Sequence, residues 1–241
     1  MPQRLPSLLE PPIAFADGGA SAVELAGSGS AFALAIRLGA TGIEAGAYLT
    51  TDDEVVVGAD AVVRRGLRRK EVSSMRADEV TASHPRLADV VADDTVGFAL
   101  SLAPISSDVL DAVVQDHSRL GLGQAGYPLW ARCGRVDQLR DWRKRWPELR
   151  LVHDTTLGAL EDGPERHAAS LADSDIDAVR LPYPEWTGGL AALFHRFDVL
   201  AFGHTAIHDR MFDDLVRMGL DGISSIYVDR LVDAFARADL A

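Results

Sequence analysis

Glu44 and Asp60 are two acidic residues in one apolar stretch, and both could take part in chemistry. The stretch GIEAGAYLTTDDEVVVGAD (42–60) predicts two short strands around a Thr-Asp-Asp turn, with one of these acids on each strand. A buried acid can hold a divalent cation or transfer a proton. The neighbours Gly46 and Ala59 can do neither. The sequence therefore poses the question of whether a site here is active or has lost its reactive groups.

Other polar residues lie in or after further apolar stretches, where active sites of parallel α/β proteins form. The candidates for catalysis are Glu44, His153 and His204, with Glu44 also a weak candidate metal ligand. The candidates for ligand binding are Asp17, Tyr48, Asp60, Arg132 and Arg180. A small anionic or polyol ligand would suit this set of acids and cations.

Structural roles remain open for the same residues. Asp60 can cap the following turn, and both histidines can be hydrogen-bonded structural residues. Arg180 lies within an apolar strand and needs a partner if it is buried, either Glu44 or a bound anion. Asp17 begins DGG, which is typical of a turn.

The elements that would position these residues alternate between strands and helices. Candidate strands are 12–16, 42–49, 54–59, 96–102, 127–133, 149–154, 177–183, 198–205 and 221–227. Candidate helices are 28–40, 106–121, 135–149, 188–198 and 209–222. About eight such units predict a single (β/α)8 TIM barrel over residues 1–241. A doubly wound open sheet is the alternative, although no G-x-G-x-x-G follows a strand.

Composition excludes several classes of function. The formal net charge of −12 disfavours nucleic-acid binding. Cys133 is the only cysteine, which excludes an internal disulfide and a multi-cysteine zinc site and fits a cytoplasmic protein. No apolar run is long enough to predict a transmembrane segment. The basic stretch RRGLRRK (64–70) predicts a solvated loop and helix start, or a patch that attracts phosphate or an acidic partner.

Two segments resemble the glycerophosphodiester phosphodiesterase family. Residues 31–65 are similar to the family's helix, its Gly-Ala-x-x-Ile-Glu-x-Asp motif, its Leu-Thr-x-Asp turn and its strand ending in His-Asp. Residues 213–231 are similar to its closing helix and Gly-Val-Asp-Gly-Ile strand. The resemblance covers nearly the whole chain and implies a TIM barrel of the phospholipase-C-like phosphodiesterase type. It also implies a phosphoric diester hydrolase of lipid metabolism that uses a divalent metal and two histidines.

The chain departs from this family where the chemistry occurs. Phe15 stands where the family has the His of His-Arg-Gly, and Ala59 stands where it has the His of His-Asp. Glu44 is kept, but Gly46 replaces the Asp of Glu-x-Asp. The family's Glu-x-Lys falls near Ser101 and Ala103. The catalytic histidine pair and most of the metal ligands are therefore missing.

These departures favour a non-catalytic or repurposed barrel, a pseudoenzyme that binds a ligand or a partner. Such a protein needs no cofactor, and a divalent cation such as Mg²⁺ or Ca²⁺ is expected only if it is active. The alternative is a divergent hydrolase in which Glu44 acts with His153 or His204, and Arg132 or Arg180 holds phosphate. A different barrel enzyme using Glu44 and Asp60 as paired acids is a third hypothesis. The oligomeric state stays open.

Overall fold

The computed structural model describes residues 4–65, 68–92 and 97–239. Its strands are β1 (Ile13–Asp17), β2 (Gly42–Leu49), β3 (Val55–Gly58), β4 (Val62–Arg65), β5 (Arg68–Glu71), β6 (Ala99–Pro104), β7 (Leu129–Cys133), β8 (Arg150–Asp154), β9 (Ala178–Pro182), β10 (Leu200–His204) and β11 (Gly222–Ser225). Its helices are α1 (Gly29–Arg37), α2 (Ala77–Val80), α3 (Leu87–Val91), α4 (Ser107–Arg119), α5 (Val136–Arg145), α6 (Gly163–Ala172), α7 (Gly188–His195), α8 (Asp209–Arg217) and α9 (Val228–Asp239).

The fold is a (β/α)8 barrel, which confirms the prediction from the sequence. The main sheet has the strand order β1-β11-β10-β9-β8-β7-β6-β2-β3, and β1 also pairs with β2. The eight barrel strands are therefore β1, β2 and β6 to β11, while β3 is an antiparallel neighbour of β2. In the described ranges, no helix is long and apolar enough to cross a membrane.

Residue contacts divide the chain into two compact units. The N-terminal unit is Ala16–Ala131, and the C-terminal unit combines Met1–Phe15 with Arg132–Ala241. The barrel strands of both units are mostly buried, because each has neighbours on both faces.

Local signals in the sequence set the helix boundaries. Ser28 caps α1 by accepting a hydrogen bond from the Ala31 amide, and Ser106 caps α4 in the same way at Val109. Gly39, with a φ of 95°, follows the last turn of α1, where a residue with a side chain would be strained.

The hairpin of β4 and β5 and the helices α2, α3, α6 and α9 were not predicted. The basic stretch 64–70 forms part of an antiparallel hairpin of β4 and β5, instead of the predicted loop and helix start, although Gly66 and Leu67 lie outside the described residues. Helix α6 was missed because its sequence, GPERHAASLA, has few large apolar residues and buries only Ala168 and Leu171. The predicted strand 96–102 is observed as β6, and Val96 lies outside the described residues.

Candidate functional site

The retained acid of the N-terminal unit, Glu44, is fully buried in β2. Its nearest neighbour on β6 is Ser101, which it opposes in the parallel register and whose hydroxyl donates a hydrogen bond of 3.5 Å to Oε1. The next pair on the same face is Gly46 with Ala103. The register therefore places one carboxylate, one hydroxyl and two positions without polar side chains at this point.

Tyr48 fills the space beside Gly46. A Cβ atom built on Gly46 would lie 2.2 Å from the Tyr48 hydroxyl oxygen. Tyr48 is itself buried in an apolar cluster with Val56, Met75 and neighbouring side chains. The resemblance leads one to expect an aspartate at position 46. Tyr48 occupies the space that this side chain would need.

His84 was missed by the sequence analysis, since it lies outside the strands. Its imidazole packs against Gly58, where a Cβ would lie 2.3 Å from Cδ2, and meets the Tyr48 ring at a centroid distance of 5.6 Å. Nε2 donates to the Asp60 carbonyl at 2.6 Å, and Nδ1 accepts from the Ser83 hydroxyl at 2.9 Å. Burial lowers the pKa of His84, so the ring is a neutral packing group with both nitrogens engaged.

The two other acids of this unit that the sequence analysis proposed for the site lie at the surface. The side chain of Asp60 is exposed just after β3, and that of Asp17 is exposed at the end of β1. Beside Asp60, the backbone of Ala59 is covered by Gly27, on which a Cβ would lie 2.4 Å from the Ala59 nitrogen. Because Asp60 is exposed and Glu44 is fully buried, the environments of these two acids differ greatly.

The C-terminal unit contains a charged cluster that we call the Arg-Asp-Arg cluster: Arg132, Asp154 and Arg180. Arg180 Nη1 lies 3.0 Å from both carboxylate oxygens of Asp154, and Arg132 Nη1 lies 3.1 Å from Oδ2. The guanidinium side chains are only 7% and 10% exposed, whereas Asp154 is 30% exposed. Asp154 is therefore a partner of the nearly buried Arg180.

The positions of the three residues follow from strand geometry. Arg132, Asp154 and Arg180 belong to the adjacent strands β7, β8 and β9, and Asp154 opposes Arg180 in the parallel register. Two guanidinium groups therefore meet at one carboxylate. Because solvent reaches Asp154, the cluster can attract a small anion without the cost of opening the core.

His204 lies on the same face as this cluster. Phe202 opposes Arg180 and His204 opposes Pro182 in the register of β10 and β9. Residues that oppose each other point to the same side of a sheet, and so do residues two positions apart. His204 thus follows Phe202 toward the carboxyl end of β10, where it is half-buried.

Phe15 stacks against Phe202 on that side. The two rings are 5.5 Å apart at an interplanar angle of 59°, and Phe15 is fully buried. Gly222 is the small residue beneath them, since a Cβ there would lie about 3 Å from both rings. An aromatic pair therefore occupies the position at which the resemblance places a catalytic histidine.

His153 points away from the Arg-Asp-Arg cluster. It precedes Asp154 on β8, so its side chain lies on the opposite face, where Nδ1 is 3.0 Å from His167 Nε2 on α6. Burial lowers the pKa of His153, and burial together with the neighbouring His153 lowers that of His167 to about 4. The pair borders a cleft of about 430 Å³ and is neutral near pH 7.

A metal site of three or more ligands is not formed by the residues that the structure describes. No group of three His, Cys, Asp or Glu side chains comes close enough to share an ion within ranges 4–65, 68–92 and 97–239. On β2 and β6, Glu44 is the only charged side chain. One carboxylate is a poor donor set for Mg²⁺ or Ca²⁺, which take about six or more oxygen ligands.

Comparison with solved structures places the fold in a known group. A glycerophosphodiester phosphodiesterase from Thermotoga maritima superposes with a TM-score of 0.76 at 18% identity, covering 92% of this chain and 97% of that one. The fold is that of the glycerophosphodiester phosphodiesterases. This confirms, at the level of fold, the resemblance seen in the sequence.

Two further structures agree. A phosphodiesterase from Oleispira antarctica, in complex with the product sn-glycerol-3-phosphate, gives a TM-score of 0.76 at 16% identity, covering 93% of this chain and 97% of that one. A glycerophosphodiester phosphodiesterase from Agrobacterium tumefaciens gives 0.71 at 16% identity, covering 92% and 99%. No protein-family model and no curated protein matches the sequence. At these identities the comparisons establish the fold alone.

Proposed function

We propose that this chain is a non-catalytic barrel with the phosphodiesterase fold, and that it binds a small anionic ligand at the Arg-Asp-Arg cluster. The observation that carries the proposal is the pairing of two nearly buried guanidinium groups with one carboxylate, Asp154. Guanidinium groups bind phosphate or carboxylate oxygens in forked geometry.

The loss of catalysis is supported by the groups around Glu44. General acid–base chemistry needs a titratable group within hydrogen-bond reach of the reacting atom. Phe15 and Ala59 cannot transfer protons, and Gly46, Ser101 and Ala103 cannot supply the missing carboxylates. We propose that no divalent cation is needed for ligand binding.

The first ligand to test is sn-glycerol-3-phosphate, because the phosphodiesterase from Oleispira antarctica holds it as product. Calorimetry would compare the native protein with Arg132→Gln and Arg180→Gln, each of which removes one guanidinium group of the cluster. Loss of a charged hydrogen bond predicts an affinity about 10 to 100 times weaker in both variants. Arg210→Gln is the matched control, since Arg210 is 91% exposed on α8.

Hydrolysis is tested in parallel with glycerophosphocholine and bis-p-nitrophenyl phosphate, in the presence of Mg²⁺, Ca²⁺, Mn²⁺ or EDTA. We expect no turnover under any of these conditions. Unchanged affinity in Arg180→Gln would remove the proposed binding site, and metal-dependent turnover would remove the non-catalytic assignment.

The second candidate is a divergent phosphoric diester hydrolase, which is the alternative predicted from the sequence. In it, Glu44 acts with His153 or His204, and Arg132 or Arg180 holds phosphate. The placement of His204 on the same face as Arg180 favours His204 as the proton donor over His153. Turnover that disappears in both Glu44→Ala and His204→Ala, while His153→Ala keeps it, would support this function.

A further inference from the structure

The hairpin of β4 and β5 concentrates positive charge on a strongly acidic protein. Arg64, Arg68, Arg69 and Lys70 are all exposed on these two strands, while the whole chain carries a formal charge of −12. In the part of the chain that the structure describes, none of these four side chains forms an ion pair with another described residue. This positive patch has no role in the proposed ligand site.

The register of the hairpin opposes like charges. Arg64 pairs with Arg69, and Arg65 pairs with Arg68 in the same antiparallel ladder. Like charges directly opposite each other destabilise a sheet, whereas opposite charges stabilise it. The hairpin therefore retains a repulsion that an external anionic surface would relieve.

One face of the hairpin is held by the protein and the other is available. Val63 packs against the apolar cluster that contains Tyr48, which fixes the base of the hairpin. Arg64 and Arg69 share the opposite face, with Glu71 as the acidic residue next to them on that face. The hairpin thus presents its arginine pair outward from a fixed base.

An exposed apolar loop packs against the segment that precedes this hairpin in the sequence. Val23 and Leu25 are 75% and 60% exposed in the loop between β1 and α1. The same loop is held against the end of β3 by the close approach of Gly27 to Ala59. The N-terminal unit thus offers exposed apolar side chains and a basic element, which match the two requirements of peripheral membrane binding: insertion at the interface and attraction to anionic lipid.

We propose that the β4–β5 hairpin and the Val23–Leu25 loop dock the protein on a bilayer that contains anionic lipid. The net charge of −12 does not by itself prevent this, because charges farther away than the Debye length of about 8 Å at physiological salt are largely screened. Nucleic acid is the less suitable partner, since β4 and β5 contain no aromatic residue on which a base could stack.

The test is co-sedimentation of the full chain with phosphatidylcholine vesicles, with or without phosphatidylglycerol. We expect binding only to the anionic vesicles, weakening as salt is raised. Arg64→Ser/Arg69→Ser should bind at least 10-fold more weakly, because each basic residue near such a surface contributes about 1 kcal/mol, a factor of about five. The charge-matched control is Arg166→Ser/Arg196→Ser, whose residues are 80% and 67% exposed in the C-terminal unit.

A Val23→Ser/Leu25→Ser variant separates the two contributions, because its loss of binding should persist at low salt. Circular dichroism and urea unfolding check that each variant folds. Absence of binding by the native chain, equal binding to both vesicle types, or equal weakening by the control variant would each overturn the proposal. So would tighter binding to a single-stranded oligonucleotide than to anionic vesicles. None of these outcomes depends on the Arg-Asp-Arg cluster.

Discussion

The two units of this barrel carry their polar groups very differently. In the N-terminal unit Glu44 is fully buried, and the positions beside it hold Gly46, Ser101 and Ala103. In the C-terminal unit Arg132, Asp154 and Arg180 form an ion-paired cluster that solvent can reach. Since each strand of a barrel contributes side chains independently, one set of strands can lose its chemistry while another gains charge.

Local packing fills the space beside two glycines of the N-terminal unit. The Tyr48 hydroxyl lies over Gly46, and the His84 ring lies over Gly58. Interiors tolerate few voids, so each aromatic ring occupies the space that a larger residue at the neighbouring glycine would need. A carboxylate introduced at Gly46 would therefore meet the Tyr48 ring.

The largest expected effect lies in the charged cluster. Asp154→Ala leaves two nearly buried guanidinium groups without this carboxylate, and we expect the free energy of unfolding to fall by about 3 to 5 kcal/mol. Asp60→Ala, an exposed acid of the other unit, should change it by less than about 0.5 kcal/mol. Urea unfolding of both variants measures the two losses of unfolding free energy. Similar losses would show that Asp154 and Asp60 contribute equally to stability.

The next largest effect on the free energy of unfolding is expected at Gly46, where Tyr48 fills the space beside the backbone. Gly46→Asp should lower the free energy of unfolding by about 1 to 3 kcal/mol, because its side chain begins where the Tyr48 hydroxyl lies. In the Gly46→Asp/Tyr48→Ala double variant the losses should be smaller than the sum of the single losses. Gly158→Asp is the control, as nothing lies within 4 Å of a Cβ at that position. Additive losses would argue against the clash.

A smaller effect depends on pH and concerns the pair His153 and His167. The pKa of His167 is about 4 in the folded protein, below the ordinary 6.5, so the unfolded chain binds more protons between these values. The contribution to stability is complete above about pH 6.5 and is lost as the pH falls toward 4. Allowing for partial exposure, we expect a loss of about 1 to 2 kcal/mol.

Urea unfolding at several pH values would measure this loss. His167→Gln should flatten the dependence between pH 6.5 and 4, although the lowered pKa values of His84 and His153 leave part of it. His208→Gln, at an exposed position, should leave the dependence unchanged. If the dependence of unfolding free energy on pH were the same in His167→Gln as in the native protein, the role assigned to His153 and His167 would be contradicted.

Much of the fold could be predicted from the sequence because its signals are local. Apolar stretches separated by capped helices define the barrel strands, and Ser28 and Ser106 mark helix starts without any knowledge of the fold. The differences from the family motif at Phe15, Gly46 and Ala59 could also be identified from the sequence, since they need only the motif around each position. The single-domain assignment and the roles of the site residues stay predictions.

Only the tertiary structure decided which polar groups meet. Asp154 joins Arg132 and Arg180 because of the register among three strands, and His153 turns to α6 because it lies one residue earlier on β8. His84 reaches Gly58 from 26 residues away in the sequence. The sequence determines the strands and the available side chains, but pairing across strands and packing between distant segments depend on long-range contacts that no local pattern encodes.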